Sequence, residues 1–279
     1  MTIARLASMA LAAGLGWATP SLAQPATLDA EAVVDFFIDL AGDEAALRAT
    51  MEGYYGAVPD DVWAAMVKHT VPLLADPAYG RYIFANMADA LTADTSTDAL
   101  IELAGMVQQD AAVRGVLRLS QKKQEHFIAV AEDLLAWMGA NDPESCREMM
   151  MGVPDLAAAA RLEFQFHVDN EPAYVDRYYA LTGEALRAEI HDDPRPRGMG
   201  SGPIATAAMA AYEGAVADAM AALPADTMLA AALGSDPDDP RLFCNLGAVT
   251  FSALWTLTPM ERGYAILGFL GQMTGQGVR

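Results

Sequence analysis

Cysteine is nearly missing from this chain: Cys146 and Cys244 are the whole supply, and no Cys-x-x-C pair exists. That scarcity excludes a cysteine-rich mini-scaffold, a four-cysteine zinc site and a thioredoxin-type redox motif. Positive charge is also scarce, with 17 Lys and Arg against 37 Asp and Glu and a formal net charge of −20. A surface so acidic repels phosphate backbones and anionic headgroups, so nucleic acid and electrostatic membrane attachment are excluded as partners. Histidine is down to four residues, His69, His126, His167 and His191, and none pairs with another at metal-ligand spacing. Zincin, zinc-finger and EF-hand patterns are missing, as are Gly-x-Ser-x-Gly, Ser-x-x-Lys and phosphate-binding glycine loops. Gly198-Met199-Gly200-Ser201-Gly202 is glycine-rich, but no strand leads into it and no lysine accompanies it. No cofactor is expected from this inventory. Runs of alternating β-branched residues between turn dipeptides are lacking too, which removes the sheet classes.

What is present begins with an address. Arg5 opens the chain, Leu6 to Trp17 form an uncharged apolar run, and Pro20 precedes Ser21-Leu22-Ala23, with small residues where a signal peptidase reads. Residues 1–23 are therefore expected to be a signal peptide, with Gln24 as the mature start and the bacterial periplasm as the destination. The run is too short to span a bilayer, and no cysteine stands at the cut to accept a lipid. Cleavage removes Arg5 and no acidic residue, leaving 16 basic against 37 acidic side chains in a mature chain of residues 24–279. In an oxidising compartment the two cysteines are expected to bond, and a loop of nearly a hundred residues is worth roughly 4–5 kcal/mol in the chain-entropy model.

The punctuation is helical. Asp76-Pro77, Asp142-Pro143, Asp236-Pro237, Asp239-Pro240 and Thr258-Pro259 each combine a capping side chain with a proline preset for a first turn. Thr258-Pro259-Met260-Glu261 is in addition a capping box. Apolar residues recur at the 3.6 period: Val33, Phe36, Phe37 and Leu40; Val62, Met66, Val67 and Leu73; Tyr79, Ile83, Phe84 and Met87; Phe127, Val130, Leu134, Leu135 and Met138. Pro72 should end or kink its helix. Pro259, Glu261 and Arg262 interrupt the apolar stretch Ala248 to Leu270, which reads as two packed core helices rather than a membrane span. The expected fold is all-α: a compact single-domain array of about ten to twelve helices, with a long Pro- and Gly-rich loop at residues 191–203.

Few residues stand out as chemistry. Glu163 and His167, at i and i+4, share a helix face and could ligate a metal or exchange a proton; otherwise they form a surface pair near a helix end. His191-Asp192-Asp193 beside Arg195 and Arg197 could hold a charged ligand or act as an acid–base group; otherwise it is a solvated loop. Tyr54-Tyr55, Tyr174 and Tyr178-Tyr179 could line a groove or simply fill a core. Met149-Met150-Met151 points around a helix in three directions and suits core filling better than copper. No metal site is expected. The leading expectation is an exported, non-catalytic helical binding or scaffold module whose partner is a protein or a small apolar or cationic ligand. The alternatives are an enzyme assembled from distant helices and a small-ligand or metal carrier.

Overall fold

The computed structural model describes residues 29–90, 97–151, 156–195, 202–223 and 240–274. The expected leader, Asp236-Pro237, Asp239, and residues 196–201 of the long loop lie outside that set. So do the side chains of Tyr54 and Met149 to Met151. Among the described residues there is no strand, and the all-α expectation holds. Twelve α-helices follow one another in these residues: α1 (Ala30–Gly42), α2 (Glu44–Tyr55), α3 (Asp60–Leu74), α4 (Pro77–Met87), α5 (Thr97–Val116), α6 (Gln121–Asn141), α7 (Pro143–Met151), α8 (Leu156–Val168), α9 (Pro172–Ile190), α10 (Pro203–Ala221), α11 (Arg241–Trp255) and α12 (Pro259–Met273). A short 3₁₀ turn, Ala88–Ala90, extends α4.

Local chemistry sets the boundaries. Asp76 Oδ1 accepts from the Ala78 amide to start α4, and Asp142 Oδ1 accepts from the Ser145 amide to start α7. The capping box forms, with the Thr258 amide donating to Glu261 Oε2 and the Glu261 amide donating to Thr258 Oγ1. Pro72 stands inside α3, which ends two residues later, and the chain turns at once into α4. No described helix is long and apolar enough to cross a membrane.

The helices gather into two units, and the chain visits both more than once. The first holds α1–α5, α8 and α9; the second holds α6, α7 and α10–α12. In the second unit α11 packs on α6, α7 and α10, and Cys146 of α7 is bonded to Cys244 of α11 with their α-carbons 5.4 Å apart. Both cysteines are buried. The expected crosslink therefore joins residues on either side of the 191–203 loop.

In the first unit α9 is the central element and packs along both α5 and α3, while α1 packs on α4. Gly115 makes the α5–α9 contact as tight as it is. A β-carbon at Gly115 would sit 1.9 Å from the Ala185 carbonyl oxygen, so backbone meets backbone there. Three tyrosines, Tyr79, Tyr178 and Tyr179, are buried in this unit, and burial pushes each phenol well above the usual tyrosine range. The unfolded chain ionises its tyrosines near pH ~10. The folded unit holds these protons to higher pH, so the stabilisation is complete below that value and is lost as pH rises. Tyrosinate absorption from these three should appear only together with loss of helical circular dichroism; a simple titration near pH ~10 with the helices intact would contradict the burial.

Candidate functional site

The first unit carries three polar constellations, and they differ in what can reach them. Glu163 and His167, on adjacent turns of α8, come together as the i, i+4 spacing requires, with His167 Nε2 3.5 Å from Glu163 Oε1. They are not a surface pair, because their side chains are only 2% and 1% exposed. Tyr178 from α9 donates its hydroxyl to Glu163, and the His167 and Tyr178 rings lie 4.2 Å apart between centroids. Phe166 and Tyr179 complete the surround. Tyr55 stacks on Phe164 at 4.7 Å, so this aromatic group fills core between α2, α8 and α9. Neither ring nitrogen of His167 makes a hydrogen bond. An acid–base pair sealed this way cannot meet a substrate without opening the core.

The second constellation surrounds the end of α9. His191, the C-cap residue of α9, places Nε2 2.7 Å from Asp76 Oδ2, so one carboxylate both caps α4 and holds a histidine at a helix C-terminus. Arg118 donates to Glu189 and Asp192 at 2.7 Å each and to the Pro194 carbonyl at 3.1 Å. Residues 191–195 are thus tied to the helices by named bonds rather than free in solvent. These charges are satisfied by one another, which leaves His191 a structural partner.

The third is a small cleft walled by α3, α5 and α9, open to solvent at its mouth, with an enclosed volume of about 20 Å³. His69, Thr70 and Leu73 line it from α3, Gln108, Gln109 and Ala112 from α5, and Tyr179, Thr182, Gly183 and Leu186 from α9. No family model, no curated protein and no solved structure matches the chain. The chemistry of the walls is therefore what speaks for this cleft. Gln108 is 4% exposed, and its Oε1 accepts from the Tyr79 hydroxyl at 2.6 Å. Burial holds that phenol in its protonated form, so it is the donor and the Gln108 amide nitrogen is left to donate elsewhere. The Thr182 hydroxyl, 8% exposed as a residue, lies against the Tyr178 phenol and favours its ionised form, against the larger effect of burial.

His69 contributes to the same wall, but its Nε2 is 2.8 Å from Asp176 Oδ1, which also takes the Lys68 ammonium at 2.9 Å. The lysine first, then the histidine, hold the Asp176 carboxyl below the usual aspartate range. No carboxylate lines the cleft, and Asp176 is not among its walls.

Sequence reasoning singled out Glu163, His167 and His191, and the structure puts the first two in the core and the third in a surface ion network. It passed over Gln108, Thr182 and His69. A signal existed for the first two: each is a polar residue on an otherwise apolar helical face, Gln108 between Ala104 and Ala112 and Thr182 between Tyr178 and Leu186. Among the described residues no group of three His, Cys, Asp or Glu side chains is placed to share a metal ion.

Proposed function

We propose that the mature chain works outside the cytoplasm as a non-catalytic helical binding module, and that the cleft between α3, α5 and α9 receives a small molecule. The observation that carries this reading is the composition of the walls: neutral hydrogen-bonding groups and apolar side chains converge there, and Gln108 keeps its amide nitrogen for a further acceptor while its oxygen takes the Tyr79 hydroxyl. The histidine–carboxylate pairs suited to proton transfer lie elsewhere or are engaged with one another. The export signal at 1–23 supports the compartment, and protein recovered from a fractionated host should begin at Gln24.

The test is a ligand-observed screen of small molecules against the mature protein, followed by amide mapping of each binder. Binders should shift Gln108, Ala112, Thr182 and Gly183 and be recovered unchanged. Shifts confined to other residues would overturn the assignment of the cleft. Conversion of the bound molecule would favour a second reading, an acid–base enzyme using His69, which the His69–Asp176 pair supports.

A further inference from the structure

His69 of α3 and Gln108 of α5 line the same cleft, and each has one nitrogen that no described residue engages. The two nitrogens have opposite characters. Gln108 Oε1 takes the Tyr79 hydroxyl, which fixes the orientation of the amide and leaves Nε2 with two N–H groups to offer. His69 Nε2 lies 2.8 Å from Asp176 Oδ1, and Lys68 and His69 hold that carboxyl below the usual aspartate range, so it is a carboxylate and can only accept. Nε2 therefore carries the ring hydrogen, and Nδ1 of the uncharged imidazole is an acceptor. The Thr70 hydroxyl, also in the wall, rotates to donate or accept and sets no preference. Among the described residues no Asp, Glu, Lys or Arg side chain lines the cleft.

The enclosed volume of about 20 Å³ sets the size of what enters. A site of ~10–15 Å³ already holds one water molecule, so one oxygen fits here and a carboxylate with its second oxygen does not. A hydroxyl matches both walls at once, because its oxygen accepts from Gln108 Nε2 while its hydrogen goes to His69 Nδ1. A carbonyl or ether oxygen turns a lone pair toward Nδ1, and an ammonium turns N–H groups toward Gln108 Nε2. From this pairing we infer that the cleft recognises the unhindered hydroxyl of a primary alcohol, whose carbon body stays outside at the open mouth. The inference rests on the cleft being a binding site. Water carries the same donor and acceptor, so an alcohol gains over water only through the carbon body it lays at the mouth.

Three probes of one size decide the matter on the purified protein: propan-1-ol, acetone and propylammonium. Titrations followed by the side-chain amide of Gln108 and the ring of His69 should show propan-1-ol binding about fivefold more tightly than either of the others, the difference one hydrogen bond makes. His69→Phe removes the acceptor while Lys68 still holds Asp176, so acetone should then bind as well as propan-1-ol. Gln108→Met removes the donor and should weaken propan-1-ol and acetone alike, with circular dichroism checking that the helices persist once the Tyr79 hydroxyl loses its acceptor. If acetone or propylammonium binds the native protein as tightly as propan-1-ol, or if His69→Phe keeps the preference, the hydroxyl assignment is overturned while the cleft remains a binding site. If none of the three moves a cleft resonance and the broader screen also finds no binder there, both readings fall together.

Discussion

Replacing Gly115 by alanine should destabilise the first unit by about 3 kcal/mol or more, the upper range for overpacking a closely fitted contact. The added β-carbon would lie 1.9 Å from the Ala185 carbonyl oxygen and 2.4 Å from its carbonyl carbon. No rotamer change relieves a clash with backbone, so α5 and α9 must separate. Helix propensity pulls the other way, since alanine is favoured over glycine within a helix by ~1 kcal/mol. The steric term wins because the two helices touch along their length and α9 also packs on α3. Separating them moves two of the three walls of the cleft, so ligand binding should weaken along with stability. Chemical denaturation followed by circular dichroism measures the first effect, and the Gln108 resonance reports the second. A variant of unchanged or higher stability would show that the α5–α9 approach is not as close as described.

Loss of the disulfide should be costlier still. Cys146 and Cys244 are 98 residues apart, and the chain-entropy model assigns a crosslink of that span about 4–5 kcal/mol. The paired substitution Cys146→Ala with Cys244→Ala avoids leaving buried hydroxyls, because both sites are enclosed. The loss should fall on the second unit, whose α7 and α11 the bond joins. Hydrogen exchange of α6, α7 and α11 should accelerate together, with Trp255 reporting the same change through its bond to Glu132 on α6. An unaltered melting profile in the double variant would mean that α11 is held by packing on α6 and α10 alone.

These two effects differ in how visible they are in the sequence. Two cysteines can be paired on paper because only one pairing exists. Gly115 gives no such notice, since a glycine in a helical stretch reads the same whether it faces solvent or another backbone. Caps are local chemistry, which is why Asp76, Asp142 and the Thr258–Glu261 box start helices where their order along the chain puts them. Sidedness is not local: the i, i+4 spacing brings Glu163 to His167 correctly, yet whether that face meets water or Tyr178 depends on α9, which the spacing does not contain. The chain's repeated passage between units was illegible for a similar reason. The crossing near residue 119 carries no linker-like composition, while the one near 155 follows only the short Gly152-Val153-Pro154-Asp155 and the one near 196 falls in the expected proline- and glycine-rich loop. The cleft was the least legible feature. Its walls come from three helices separated by dozens of residues, and Gln108 and Thr182 acquire meaning only when Tyr79 and Tyr178 are set beside them.

The cleft between α3, α5 and α9 is proposed as the place where this protein meets a ligand. The decisive experiment is a crystal structure of the protein isolated from its native host without a refolding step. Electron density for a small molecule should lie in that cleft, in contact with Gln108 and Thr182. Density for a bound molecule at another site, with Gln108 and Thr182 facing only water, would contradict it.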